Sequence, residues 1–187
     1  MKDNKKDNDK NEKEGKMRIY GFFRPQDLFT FGNAACGVVS AIFSIRGEFR
    51  IAAILLVAAV VMDFLDGKVA RLFKGAHPYG KELDSLSDAI SFGFASALFG
   101  YCFLEANSSN RPVFIVVLVF FVLCGIARLA RFNITNLKGY YQGMPITMNG
   151  LIIPAIYFAG LPAEWYPLVY ALSGVLMISS FRVKKIV

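Results

Sequence analysis

Residues 28–45, LFTFGNAACGVVSAIFSI, separate Asp27 from Arg46 without a single charge. A run of that length and character is long enough to cross a bilayer as a helix. Residues 51–62, 89–104, 112–127, 139–163 and 165–181 are also charge-free. Repetition of such runs limits the fold more than any other feature of the chain. The composition agrees with it: 55% of the residues are hydrophobic, 18 are Phe, and only 19% are charged. That balance suits a polytopic membrane protein and not a soluble domain.

Two runs need help to span. Continuing 51–62 through DFLDGKVAR gives a helix from about 50 to 72, roughly 34 Å long at 1.5 Å per residue. The 89–104 run needs the Gly80–Asp88 turns in front of it. The expected fold is therefore all-α and integral to the membrane, with six transmembrane helices across 27–187. Residues 17–26, MRIYGFFRPQ, mix arginine with aromatics, as an interfacial segment lying along the membrane would. Residues 1–16 are a polar low-complexity tail, expected to be disordered. No signal peptide is expected, because the first apolar run is a full span without a cleavage-site pattern.

Six spans put both ends on one side. Of the 21 basic residues, only Arg46, Arg50 and Arg111 then fall on the other side. This asymmetry makes both termini cytoplasmic in a multi-pass protein of the cell membrane. The net charge of +7 gathers on the cytoplasmic face, where it attracts anionic lipid headgroups. It is no sign of nucleic-acid binding. Cys36, Cys102 and Cys124 stand singly in the spans, without metal-ligand spacing, and read as small buried hydrophobes.

Against this background, the segment MDFLDGKVARLFKGAHPYGKELDSLSDAI stands out. It reads D-x-x-D-G-x-x-A-R, then eight residues, then G-x-x-x-D-x-x-x-D. On a helix, Asp63, Asp66, Gly67, Ala70 and Arg71 share one face, and Gly80, Asp84 and Asp88 form a stripe on the next. The short connection LFKGAHPY makes the two helices antiparallel neighbours, so the acid faces meet at one depth near the cytoplasmic end. Arg71 and Lys68 neutralise at most two of the four carboxylates, and an unpaired charge in a bilayer costs several kcal/mol. One or two divalent cations would remove both the burial cost and the mutual repulsion. All-oxygen ligation favours magnesium or manganese over zinc. Gly67 and Gly80 leave the helix faces bare, either for close helix packing or for a nucleotide or phosphate to approach. Arg71, one turn closer to the cytoplasm, is placed to contact a phosphate.

From Asp63 to Asp88 the chain resembles, position for position, the signature of the CDP-alcohol phosphotransferase family of membrane lipid synthases. That resemblance implies a six-helix, usually dimeric enzyme that joins a CDP-activated lipid to an alcohol and releases CMP. It implies that Asp63, Asp66 and Asp84 are metal ligands, and that Asp88 is both ligand and general base. It further implies that Gly67 and Arg71 contact the CDP moiety. Asn33, a buried polar group on the first helix, is expected to touch the nucleotide or a metal-ligating acid. Gly80 and His77, the latter in the loop over the nucleotide position, complete the expected CDP-lipid site.

Three further stretches, PQDLFTFGNAACGVVS, ARLARFN and GYYQGMPITMNG, resemble the phosphatidylserine synthase branch of that family. Gln26-Asp27 and Met148-Asn149 depart mildly from it. The branch implies L-serine as acceptor and CDP-diacylglycerol or CDP-archaeol as donor. Arg128 and Arg131, on one helix face, would read the serine carboxylate, and Asn133 would add a hydrogen bond. Enzymes using glycerol 3-phosphate or inositol phosphate would also want arginine here, so the residues alone leave the acceptor open. A divalent-cation channel or transporter is the distant alternative, since intramembrane acids also mark ion paths. Trp165 and Tyr166 read as a belt at the far interface, with Tyr140 and Tyr141 at the near one.

Overall fold

Asp27 opens the first helix, α1 (Asp27–Ile45), and a three-residue turn leads into α2 (Phe49–Leu72). Gly47 makes that reversal with φ of 77°, a conformation that a side chain disfavours. The computed structural model describes residues 27–72, 78–107, 111–134, 140–179 and 182–184. The expected tail at 1–16 and interfacial segment at 17–26 lie outside the described residues.

The third rod changes winding twice. It begins as α3 (Pro78–Asp88), passes through a π-helical stretch at Ala89–Ala95, and continues as α4 (Ser96–Asn107). Then come α5 (Arg111–Ile134), α6 (Asn149–Phe158) and α7 (Tyr166–Ile178). Each of the last two is preceded by a short 3-10 turn, at Ile146–Met148 and Ala163–Trp165. Strands β1 (Tyr140–Gln142) and β2 (Arg182–Lys184) pair antiparallel, with Tyr141 opposite Val183.

Among the described residues, three helical stretches are long and apolar enough to cross a membrane: Asp27–Ile45, Tyr79–Asn107 and Val113–Ile134. The apolar stretches Ile146–Phe158 and Ala163–Ile178 are shorter. The faces are arranged as lipid, not water, requires. α1 turns Thr30, Asn33, Gly37, Ser40 and Ser44 inward, while Leu28, Val38 and Ile42 face out. On α5, Val116 and Leu123 are likewise exposed while Phe121 is fully buried. Small and polar residues inside, large apolar ones outside, is the packing rule of membrane helices.

Close approach follows from these small residues. A Cβ on Gly37 would stand 2.7 Å from the Ser91 Cα, so α1 presses directly on the π-helical stretch. Ser40 donates to the carbonyl of Ala52 at 2.8 Å, tying α1 to α2. At the end of the bundle away from the acids, Phe49 and Tyr157 each meet Phe99 and Phe103 edge to face. The Tyr166 ring lies tilted against Phe103, 4.9 Å between centres, and is fully buried. It is therefore a core residue, contrary to the belt expected from its sequence position; Trp165 is 54% exposed.

Candidate active site

α2 carries Asp63 and Asp66 one turn apart, and α3 carries Asp84 and Asp88 one turn apart. Helix crossing brings one carboxylate oxygen from each of Asp63, Asp84 and Asp88 within 4.8 Å of one another. Asp88 is buried, and Asp63 and Asp84 are half-buried. Asp88 is repelled by both Asp63 and Asp84, and Asp84 also by Asp66. The Arg128 guanidinium on α5 attracts Asp63, Asp84 and Asp88. One guanidinium does not balance three carboxylates. Converging, partly buried, oxygen-only donors of this charge fit a hard divalent cation.

Asp66 is engaged differently. Its Oδ2 accepts a hydrogen bond from the Thr30 hydroxyl of α1. Asp27, buried at the start of α1, lies close enough to repel it. One turn beyond Thr30, Asn33 Nδ2 donates to Asp88 Oδ1 at 3.1 Å. The Asn33 backbone carbonyl accepts from Ser91 Oγ at 2.9 Å, and Gly37 permits that contact. Asn33 Oδ1 is buried and has no hydrogen-bond partner among the described residues. It is a spare acceptor beside the acids.

Around the cluster, Gly67 is exposed, and a Cβ placed there would meet nothing within 4 Å among the described residues. Among the described residues, helix packing does not account for this glycine. Lys68 beside it lies over the Phe64 ring at 4.6 Å. Gly80 lies in the first turn of α3 and is half-buried. Arg71 falls in the last turn of α2, and its side chain, like all of His77, lies outside the described residues.

At the end of α5 the three polar residues have separate surroundings. Arg128 is buried, with its guanidinium 5.5 Å from the Phe132 ring centre. Arg131 donates to the carbonyls of Ile178 at 3.1 Å and Met177 at 3.2 Å, closing the C-terminal end of α7. Asn133 Nδ2 donates to Glu82 and Ser85 of α3, both at 3.1 Å, and its carbonyl accepts from Lys81 at 3.0 Å. Arg131 and Asn133 thus tie α5 to α7 and to the acid-bearing α3.

Residues 25–183 match the family described as CDP-alcohol phosphatidyltransferase, a span that includes the whole acid cluster. The chain belongs to that family. It is 38% identical over 173 residues to the archaetidylserine synthase of Methanothermobacter thermautotrophicus, covering 90% of this chain and 73% of that protein. It is 34% identical over 177 residues to the CDP-diacylglycerol–serine O-phosphatidyltransferase of Helicobacter pylori, covering 89% and 74%. The protein of the same description from Saccharomyces cerevisiae is 34% identical over 149 residues, covering 70% of this chain and 52% of its own.

Beyond the family signature, three residues of the site were not singled out by sequence reasoning: Asp27, Thr30 and Ser91. A signal for the first two was present. Asp27, Thr30 and Asn33 recur every three residues on one face of an otherwise apolar helix, and polar groups so placed need partners. Ser91 had none, since its contact depends on how tightly two helices approach.

Proposed function

We propose that this protein transfers a phosphatidyl or archaetidyl group from a CDP-lipid to the hydroxyl of L-serine, releasing CMP. The observation that carries the chemistry is the convergence of Asp63, Asp84 and Asp88 in a member of this family. The acceptor is supported by the similar proteins, which are described as serine or archaetidylserine enzymes and align with most of this chain.

Asp63, Asp66, Asp84 and Asp88 would hold one or two divalent cations, magnesium or manganese. Bound there, such an ion offsets the charge of the diphosphate and makes its phosphorus more electrophilic. Asp88 accepts the proton of the serine hydroxyl. The serine oxygen bonds to the lipid-side phosphorus as that phosphorus loses its bond to the CMP oxygen. Asn33 holds Asp88 in place through its 3.1 Å hydrogen bond. The bare face at Gly67 would admit the nucleotide beside the acids and Gly80, and Arg71 and His77 would be further residues of the CDP-lipid site, the arginine as a partner for phosphate. Arg128 receives the serine carboxylate, while Arg131 and Asn133 fix the end of α5 on which it stands.

All six rods cross the membrane in this reading, with both termini and the acid cluster on the cytoplasmic side. CDP-diacylglycerol or CDP-archaeol then enters from the bilayer, and serine from the cytoplasm, in a homodimer. The test is CMP release by the purified protein given a CDP-lipid and one labelled alcohol at a time. L-Serine should support turnover, whereas glycerol 3-phosphate and inositol phosphate should give little. A preference for either phosphate-bearing alcohol would overturn the serine assignment and leave the family chemistry standing.

A further inference from the structure

Thr30 lies outside the acid motif, yet its hydroxyl is what Asp66 meets from α1. We propose that Thr30 is a positioning residue, which fixes the Asp66 carboxylate so that its other oxygen is presented to the cluster of Asp63, Asp84 and Asp88. This rests on the reading that the acids hold a divalent cation.

The surroundings of this hydrogen bond support it. Thr30 is 2% exposed and Asp66 is 8% exposed, so water has little access to replace the donor. A hydroxyl given to a carboxylate is a charge-assisted bond, among the stronger kinds in a protein. In a helix a threonine hydroxyl commonly bonds back to a carbonyl of its own preceding turn; here it reaches across to α2. Asp27, one turn before Thr30 on the same buried face, repels Asp66. Without the hydroxyl, this repulsion would act on a carboxylate that had lost its donor from α1. α1 thereby acts on two acids at successive turns: Thr30 on Asp66 and Asn33 on Asp88. Groups that orient metal-binding carboxylates in this way typically change metal affinity by about 10- to 100-fold when removed.

The experiment is manganese binding to the purified full chain without substrate, read as loss of the free-ion electron paramagnetic resonance signal. Thr30→Val keeps the shape and removes the donor, and Thr30→Ser keeps the donor. We expect Thr30→Val to weaken manganese binding by about 10- to 100-fold, in a protein that still melts cooperatively. Thr30→Ser should bind nearly as the wild type does. On an Asp66→Asn background, Thr30→Val should change little, because the group it positions has lost its charge. Thr30→Ala serves in place of Thr30→Val if the latter folds poorly, with the same expected direction. Wild-type binding with no loss in Thr30→Val would overturn the positioning role alone. Equal losses in the Val and Ser variants would also overturn it, since the hydroxyl would not be the cause. No manganese binding by the wild type would overturn the metal reading itself, and this proposal with it.

Discussion

Asn33 on α1 donates its side-chain amide to Asp88 on α3 across 3.1 Å, joining helices whose residues lie 55 apart in the chain. The bond is buried, and the Asn33 backbone is held in turn by Ser91. Replacing Asn33 by Leu leaves the Asp88 oxygen without this donor. A hydrogen bond to a charged group is worth about 1.5–3 kcal/mol, or roughly 10- to 150-fold. We expect turnover to fall by that factor in single-turnover CMP release. A variant with unchanged turnover would show that Asp88 needs no help from α1.

Asp88 itself should separate binding from chemistry. Asp88→Asn keeps size and one oxygen but does not accept a proton at neutral pH. Turnover should drop by about 10²- to 10⁴-fold, while CDP-lipid binding persists. Chelation should abolish activity in the wild type, and magnesium or manganese should restore it. Asp63→Asn and Asp84→Asn should need more metal for half-maximal rate. Activity that survives full chelation would mean the three converging carboxylates serve structure only.

Two glycines should respond in opposite ways to alanine. Gly67 has open space where a Cβ would go, so Gly67→Ala should gain up to about 1 kcal/mol of helix stability. The added methyl would stand in the proposed nucleotide path, and the apparent KM for CDP-lipid should rise. At Gly37 the new Cβ would meet the Ser91 backbone at 2.7 Å. Gly37→Ala should cost about 1–3 kcal/mol. Thermal melts and CDP-lipid saturation curves measure both; a Gly67→Ala protein with unaltered KM would remove the nucleotide from that face.

The meeting of Asp63, Asp84 and Asp88 was legible because lipid makes unpaired charge so costly that acids at helical spacing on adjacent helices are expected to face one another. The helix from about 50 to 72 was legible because the charge-free run 51–62 is too short to cross alone, and the helix runs over Phe49–Leu72. Other features leave no mark on composition. The π-helical stretch Ala89–Ala95 alters backbone hydrogen bonding without changing side-chain pattern. The charge-free run 139–163 reads as one span, but Gly143 at φ of 73° and Pro145 break it, so α6 starts only at Asn149. Tyr166 looked interfacial because its neighbours do; its burial is decided by Phe103, which is distant in sequence.

Topology can be tested with single cysteines. Asn107, at the exposed end of α4, should be labelled only from outside the cell, and Lys138 only from the cytoplasm. Labelling of Asn107 from the cytoplasm would break the six-span arrangement and place the acids on the other side.

The acceptor prediction turns on Arg128. Its guanidinium attracts the acid cluster and stands over Phe132, whereas Arg131 is committed to the end of α7. The two arginines should therefore fail differently. Arg128→Lys replaces a planar fork by a point charge, which does not hold a carboxylate in two places. The apparent KM for serine should rise by roughly 10- to 150-fold, the cost of losing a charge-assisted hydrogen bond, with CDP-lipid affinity nearly unchanged. Arg131→Lys should chiefly lower the melting temperature, because its guanidinium donates to the carbonyls of Met177, Ile178 and Ser179. Ethanolamine is the sharpest control, since it presents the same hydroxyl and ammonium without the carboxylate. Wild type should turn it over poorly, and Arg128→Lys should narrow the gap between the two alcohols. Equal use of serine and ethanolamine by the wild type would mean that no carboxylate is read, and Arg128 would then serve only to offset the charge of the acids beside it.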